Sequence, residues 1–544
     1  MIGESDNRRD KSRDGWKNTL SSFLLTNFDG FWNWIQSVDK LNRLVNRKLI
    51  NLAIAYMPFR PHPASTMHEG KYRSWESLTD KTYSGLHLLP RTSPQTTPPI
   101  AKLSELFIRE GEEIPSPKST VLFSYVAQWF TDGFLRTRID APNRLRNTSN
   151  HDIELCQLYG LRPETAHLLR EKQGGRLKSQ TINSEEYAPR LYEDDGTVKA
   201  EFKDIAWLPE LEEITQRIEL EPAKKVNLLA MGVERANVQL GYLMIGNLLL
   251  REHNRIARLL EQKYDKWDDE RLFQTTRNIM TALLIKLVIN EYINHIAPYN
   301  FKFSCDPLAF KGTEKWNRPN WMSLEFALLY RWHTQVPNNY VICGKAIPAS
   351  EALWNPDLLI NHNFGELFES ASLQRSGKVC LHNTPAFLTG FRQLDNGKII
   401  RVGVDEKSIE LGRKANLQSY NDYRELCKFP RVTDFDQITG SPNIQTALEK
   451  LYGHVDNIDF YVGLFAEDLR PKSTLPPLMG RMVGVDAFSQ LMTNPLFSPN
   501  IYNAETFSAL GWEIIHNTNS LSELLQRNLN HPPKVYKATL NFED

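Results

Sequence analysis

Apolar residues return at every third or fourth position over four stretches, 121–137, 244–264, 272–296 and 324–333, while two-residue alternation is clear only over 398–404. A period near 3.6 lines one stripe of a helix with apolar side chains, and a period of two lines one face of a strand. The expected fold is therefore all-α, with few strands. The 544 residues allow several domains or one large helical one, and a chain this long can enclose a cofactor. No repeat or low-complexity segment divides it, so one large domain is expected over 63–544. Residues 60–120 are rich in Pro, Ser and Thr (RPHPAST, PRTSPQTTPP) and read as an extended covering loop.

The first fourteen residues carry eight charges and no apolar core, so 1–14 reads as a disordered leader rather than a secretory signal. An amphipathic section follows over 15–62. Trp34, Ile35, Val38, Leu41, Leu44, Val45, Leu49 and Leu52 recur at helical spacing, and Asn33, Asp39, Lys40, Arg43, Arg47 and Lys48 fill the other side. Periodicity by itself favours ordinary core-facing helices; short helices lying in a membrane interface are the second reading. Lys+Arg and Asp+Glu are both 65, so no basic excess supports nucleic-acid binding. The five Cys (156, 305, 343, 380, 427) form no CxxC pair, which argues against a disulfide framework or zinc cluster and fits a reducing compartment. No uncharged apolar run reaches the ~18 residues of a spanning helix. The expected location is intracellular, either cytoplasmic or peripheral on a membrane, and not secreted.

Five segments appear in one order: YRSWESL (72–78), AQWFTDGFLRT (127–137), LLLREHNRIARLLEQKYDKWDDERLFQTTRNIM (248–280), FALLYRWH (326–333) and QSYNDYR (418–424). Together they resemble the cyclooxygenase and animal haem-peroxidase superfamily, over about residues 23–522, and are most similar to its linoleate dioxygenases. The resemblance implies haem b as cofactor. On a helix, Tyr330 and His333 would share one face, and neutral imidazole is a standard axial ligand of haem iron. A single His on an apolar helix is usually only packed there, but the match to the family's YxWH motif makes His333 the proximal ligand and Tyr330 the residue oxidised to a radical. Trp332, inside the motif, is placed with the cofactor-binding residues. Asn421 matches the Asn that hydrogen-bonds the proximal His in peroxidase relatives, a bond that fixes tautomer and basicity; without the family it reads as a helix cap.

The distal side departs from the pattern. Gln128 is followed by Asp132 where relatives carry a His that shuttles the peroxide proton. A carboxylate of reference pKa ~3.9 is a poorer base unless burial raises it, so weak or absent peroxidase turnover is expected. Arg235 stands where relatives carry a distal Arg. Val238 and Thr131 occupy the positions of ester-forming acids, so the haem is expected to be non-covalent. His253 and the segment 151–160 are read as packing. Tyr299 matches a tyrosine that helps hold a fatty-acid carboxylate. Its partner Arg falls on Tyr56, with Arg60 one turn further on as the candidate substitute; a carboxylate bound elsewhere or entering reversed is the alternative. Ala487 falls at the acetylated serine of cyclooxygenases. Phe326, Leu329 and Phe488 are candidate channel walls that would serve equally as plain core.

The function the resemblance implies is haem-dependent fatty-acid dioxygenation. A tyrosyl radical at Tyr330 takes a bis-allylic hydrogen from a polyunsaturated C18 acid of the linoleate type, O2 adds, and the hydroperoxide leaves, to pass in turn to a hydroperoxide-processing enzyme. A prostaglandin-type cyclooxygenase is the nearer rival. A non-catalytic haem-binding lipid carrier or sensor is the other, and the phenol beside the axial ligand argues against it.

Overall fold

The computed structural model describes residues 14–55, 84–92, 97–137, 146–314, 316–317, 321–395, 398–530 and 532–543. The elements that carry the argument are, in order, α1 (Trp16–Thr26), α2 (Asp29–Ser37), α3 (Asp39–Ile54), α4 (Val121–Asp132), α5 (Leu240–Lys263), α6 (Asp269–Leu287), α7 (Leu324–Leu329), α8 (Val404–Lys414), α9 (Tyr420–Leu426) and α10 (Pro477–Met492). Among the described residues the sheet content is four separate two-stranded antiparallel ladders. The mainly helical fold is as expected.

The long helices cross at small residues. A Cβ on Gly241 would lie 1.9 Å from the Tyr125 ring, so the start of α5 can meet α4 only at glycine. Gln239 caps α5, accepting from the Gly241 amide at 2.6 Å, and that cap starts the helix four residues before the sequence reading. α4 stops at Asp132 rather than 137. There the Gln157 carboxamide donates to the carbonyls of Trp129 (2.6 Å) and Phe130 (3.1 Å), and a Cβ on Gly133 would lie 2.5 Å from it. α6 begins at 269 on an Asp268 cap and continues into a π-helical stretch, Val288–Ile293. The expected strand over 398–404 is Lys398–Val402, paired with Phe391–Asp395; Gly403 then caps α8.

The expected 324–333 helix is overturned. α7 ends at Leu329, and Tyr330 is its C-cap. Trp332 leaves the helix at φ −87°, ψ 54°, and His333 opens a separate 3-10 turn, His333–Gln335. Tyr330 and His333 therefore do not share a helix face; contacts from other elements, described below, orient them.

Of the expected leader 1–14, residues 1–13 lie outside the described residues. Asp14 is buried and ion-paired with Arg470 at 2.7 Å, so it belongs to the folded body. In α1–α3 one face packs on the body, as periodicity favours, and the opposite face is exposed. Ile35, Ile50, Ile54 and Asn46 are buried, and Asn46 donates to the Ser304 carbonyl at 2.8 Å. Arg43 pairs with Asp306 (2.7 Å) and Arg47 donates to the Ala309 carbonyl (3.2 Å), so these two basic residues face the body. Leu20, Phe23, Leu24, Phe28, Phe31 and Trp34 are each 46–56% exposed. Among the described residues one helix, 269–296, is long and apolar enough to cross a membrane by composition, but 78% of its most apolar window is buried.

The REHN run of α5 is structural, as expected. Buried His253 receives the Tyr159 hydroxyl at Nδ1 (2.9 Å) and donates to the Gly175 carbonyl from Nε2 (2.9 Å). Burial pushes its pKa down from 6.5 to about 3. A folded pKa below the unfolded one means that this stability is complete above pH ~6.5 and drains away as pH falls towards 3. At pH 5 the loss from this group is about 2 kcal/mol. In urea denaturation at pH 7 and pH 5, His253→Gln should lose about 2 kcal/mol less than wild type on acidification. Parallel profiles would mean that the imidazole is not held neutral.

Candidate active site

The segment from Tyr330 to His333 joins two environments. The Tyr330 ring meets Phe326 edge-on (centroids 5.2 Å, 83°) and lies 4.8 Å from the Trp332 ring. Trp332 stacks on Phe123 (5.7 Å), and Phe123 stacks on Tyr292 (5.1 Å) of the π-helical stretch. The indole N–H of Trp332 donates to the Met479 sulfur at 3.2 Å. Trp332 was expected beside the cofactor; its ring and N–H are instead taken up on the tyrosine side. Burial pushes the Tyr330 phenol well above its ordinary pKa, the neighbouring Tyr292 hydroxyl opposes this, and the Asp486 charge adds to it. Tyr330 therefore keeps its hydrogen. The Tyr292 hydroxyl is buried and faces the Tyr330 hydroxyl. Tyr292 went unnoticed in the sequence because an aromatic at helical spacing reads as core.

On the other side, His333 Nδ1 lies 3.0 Å from Asp405 Oδ1. Asp405 is the second residue of α8 and almost fully buried. It also receives the Tyr461 hydroxyl (2.8 Å, Oδ1) and the Thr384 hydroxyl (2.8 Å, Oδ2). With Nδ1–H donated to a carboxylate, the Nε2 lone pair is left for a ligand, and Nε2 has no partner among the described residues. Asn421, expected in this place, does not touch His333. Its carboxamide donates to the Val432 carbonyl (2.8 Å) and Asp456 (2.7 Å) and accepts from the Val432 amide (2.9 Å), pinning α9 to the following loop. The helix-cap reading of that motif was nearer: Ser419 and Asp422 form a capping box.

Asp132 and Arg235 are brought together at 2.8 Å. Tyr242 donates to the other Asp132 oxygen (3.1 Å), and Arg136 reaches it at 3.4 Å. Arg136 also pairs with buried Glu234. Burial by itself would lower Arg136, but Asp132 and Glu234 outweigh it and hold the guanidinium above its ordinary value. Asp132 is thus an ion-pair partner with both oxygens engaged. Gln128, one turn earlier on α4, accepts from Gln239 at 2.9 Å and so joins the cap of α5.

Two of the channel candidates, Tyr299 and Phe488, are linked through Phe303. Tyr299 meets Phe303 edge-on (6.4 Å), and Phe303 meets Phe488 (4.9 Å). Phe326, Leu329, Ala487 and Phe488 are buried, on α7 and α10. Arg60, Tyr56 and the segment 72–78 lie outside the described residues.

A histidine backed by a buried carboxylate thus stands three positions from a half-buried phenol, an arrangement that leaves one imidazole nitrogen available to a ligand. The model of the animal haem peroxidase family matches residues 114–539. Prostaglandin G/H synthase 2 of Bos taurus is 30% identical over 525 residues, covering 94% of this chain and 81% of its own. Prostaglandin G/H synthase 1 of Rattus norvegicus is 30% identical over 531 residues, covering 95% and 82%. Among solved structures, peroxidase A from Dictyostelium discoideum superposes with a TM-score of 0.66 at 19% identity, covering 83% of this chain and 92% of that one. Oryza sativa fatty acid alpha-dioxygenase superposes with a TM-score of 0.65 at 15% identity, covering 94% and 95%. The chain belongs to the animal haem peroxidase family, and its class is haem-dependent oxidoreductase.

The residues present fit the cofactor. Besides the free Nε2 of His333, the neighbouring Arg331 has a buried Nε with no partner, and its guanidinium makes no hydrogen bond within the described residues. Burial lowers its pKa, and the Arg235 charge does so too. An unpaired, partly buried guanidinium beside the axial ligand suits a carboxylate such as a porphyrin propionate. Arg331→Gln should therefore weaken haem loading about tenfold, as for loss of one charge-assisted hydrogen bond. Titration of the apoprotein with haem, followed at the Soret band, checks this; unchanged affinity removes Arg331 from the site.

Proposed function

We propose that the protein is a fatty-acid dioxygenase that uses non-covalently held haem b and acts on polyunsaturated C18 acids of the linoleate type. The observation that carries this reading is the Tyr330 phenol, protonated, walled by Phe326 and Trp332, and three residues from His333. The relatives named as prostaglandin G/H synthases and the fold shared with fatty acid alpha-dioxygenases support it. Val238 and Thr131 at the two ester-forming positions support non-covalent binding. The engagement of Asp132 with Arg235 supports weak peroxidase turnover.

When bound, haem supplies a one-electron oxidant in the presence of peroxide. The chain's own residues do the rest. Tyr330 gives up an electron and its hydroxyl proton, with the Tyr292 hydroxyl nearby to accept a hydrogen bond. The phenoxyl removes one bis-allylic hydrogen, O2 adds to the pentadienyl radical, and the peroxyl takes a hydrogen back from Tyr330. The net change is RH plus O2 to ROOH. Phe326, Leu329, Ala487 and Phe488 exclude water from the acyl chain. Tyr299, linked to Phe488 through Phe303, is the carboxylate contact, with Arg60 as its candidate partner.

Tyr330→Phe should load haem with an unchanged spectrum and lose fatty-acid oxygenation by at least ~100-fold, since only the phenol can carry the hydrogen-abstracting radical. Mass spectrometry of products from linoleate and arachidonate reads the outcome. Retained turnover sinks the tyrosyl mechanism, an endoperoxide from arachidonate favours the cyclooxygenase reading, a 2-hydroperoxide moves the reaction to the α-carbon, and no product at all favours a carrier.

We also propose peripheral membrane association through the exposed faces of α1 and α2. Because Ile35, Ile50 and Ile54 of this section are core, deletion would damage the body. Surface substitution is the cleaner test. Each half-exposed large apolar side chain contributes about 1 kcal/mol on insertion. Replacing Leu20, Phe23, Phe31 and Trp34 by Ser should reduce flotation with liposomes at least ~100-fold in partition while oxygenation of soluble substrate continues. Equal flotation of variant and wild type would end this proposal.

A further inference from the structure

We propose that Asp405, on α8, sets the donor strength and orientation of His333 towards haem iron, in place of the Asn that the sequence match assigned to this task. The inference rests on His333 being the axial ligand. Three donors converge on this carboxylate: His333 Nδ1 at 3.0 Å, Tyr461 at 2.8 Å and Thr384 at 2.8 Å. Asp405 lies in the first turn of an eleven-residue helix, where the helix dipole favours an anion. Tyr461 also donates to the Arg331 carbonyl at 3.1 Å, so one phenol ties the carboxylate to the peptide segment that carries His333. The group holding the imidazole is therefore a carboxyl group, in place of the carboxamide that the sequence match assigned.

The physical consequence has a sign. A carboxylate drawing on Nδ1–H raises electron density at Nε2, and a stronger donor favours ferric over ferrous iron. Thr384 and Tyr461 donate to the same carboxylate and share its charge, so they moderate the pull on His333. Removing the charge and removing a moderating donor should shift the iron in opposite directions. A role confined to packing predicts no such opposition.

The test is a redox titration of the full chain loaded with haem b, together with the iron–imidazole stretching frequency of the ferrous form. Asp405→Asn keeps the shape and should cut the ferric preference at least ~10-fold, a rise in midpoint potential of ~59 mV per decade for a one-electron couple, with a lower stretching frequency. Thr384→Val should move both readouts the other way, by a smaller amount. Unchanged potentials and frequencies in histidine-ligated protein overturn the role of Asp405, as do shifts of the same sign in both variants. If Asp405→Asn does not fold, Thr384→Val decides: a fall in potential supports the proposal and an unchanged potential overturns it. Wild type without a histidine-ligated ferrous spectrum, or His333→Ala with an unaltered one, overturns instead the haem reading on which this inference stands.

Discussion

The hydrogen bond between His333 and Asp405 joins two parts of the chain that are 72 residues apart, and the local backbone is arranged around it. An uninterrupted helix through 333 would set the imidazole one turn beyond Tyr330 on the same face. Ending α7 at Leu329 lets the next four residues turn, so that the phenol stays among Phe326, Trp332 and Tyr292 while the imidazole reaches α8. Tyr461 and Thr384 complete the carboxylate, and the Tyr461 bond to the Arg331 carbonyl holds the turned segment. Losing a few helical hydrogen bonds is offset by satisfying a buried carboxylate, which otherwise costs far more.

The same logic explains the charged residues near Asp132. Asp132, Arg136, Glu234 and Arg235 form one network with Tyr242, and three of its members are nearly dry. Buried charges persist only when each is paired. Both oxygens of Asp132 are taken up in this way, by Arg235 on one side and by Tyr242 and Arg136 on the other.

The N-terminal helices meet two demands at once. Their inner face is bolted on by Asn46, Arg43, Arg47 and the Asp14–Arg470 pair. Their outer face leaves six large apolar side chains about half in solvent. Lys40 and Lys48 remain exposed beside them.

Helical periodicity by itself determined the class of fold and the positions of α4, α5 and α6, because each depends on which face of one helix is apolar, whereas the packing role of the REHN run was implied by the family resemblance. Motif order determined the family and pointed to Tyr330, His333, Asp132 and Arg235, because those residues stand in short local patterns. Tertiary structure decided the rest. The apolar period continues through 330–333, yet the chain leaves the helix at Tyr330 and is held there by contacts from Tyr461, Asp405 and Met479. Asn421 and Asp405 both present a side-chain oxygen, and chain geometry, which no spacing rule encodes, decides which one reaches the imidazole. Which face of α1–α3 is core and which is free followed from where residues 300–316 pack against them, a contact between segments some 260 residues apart.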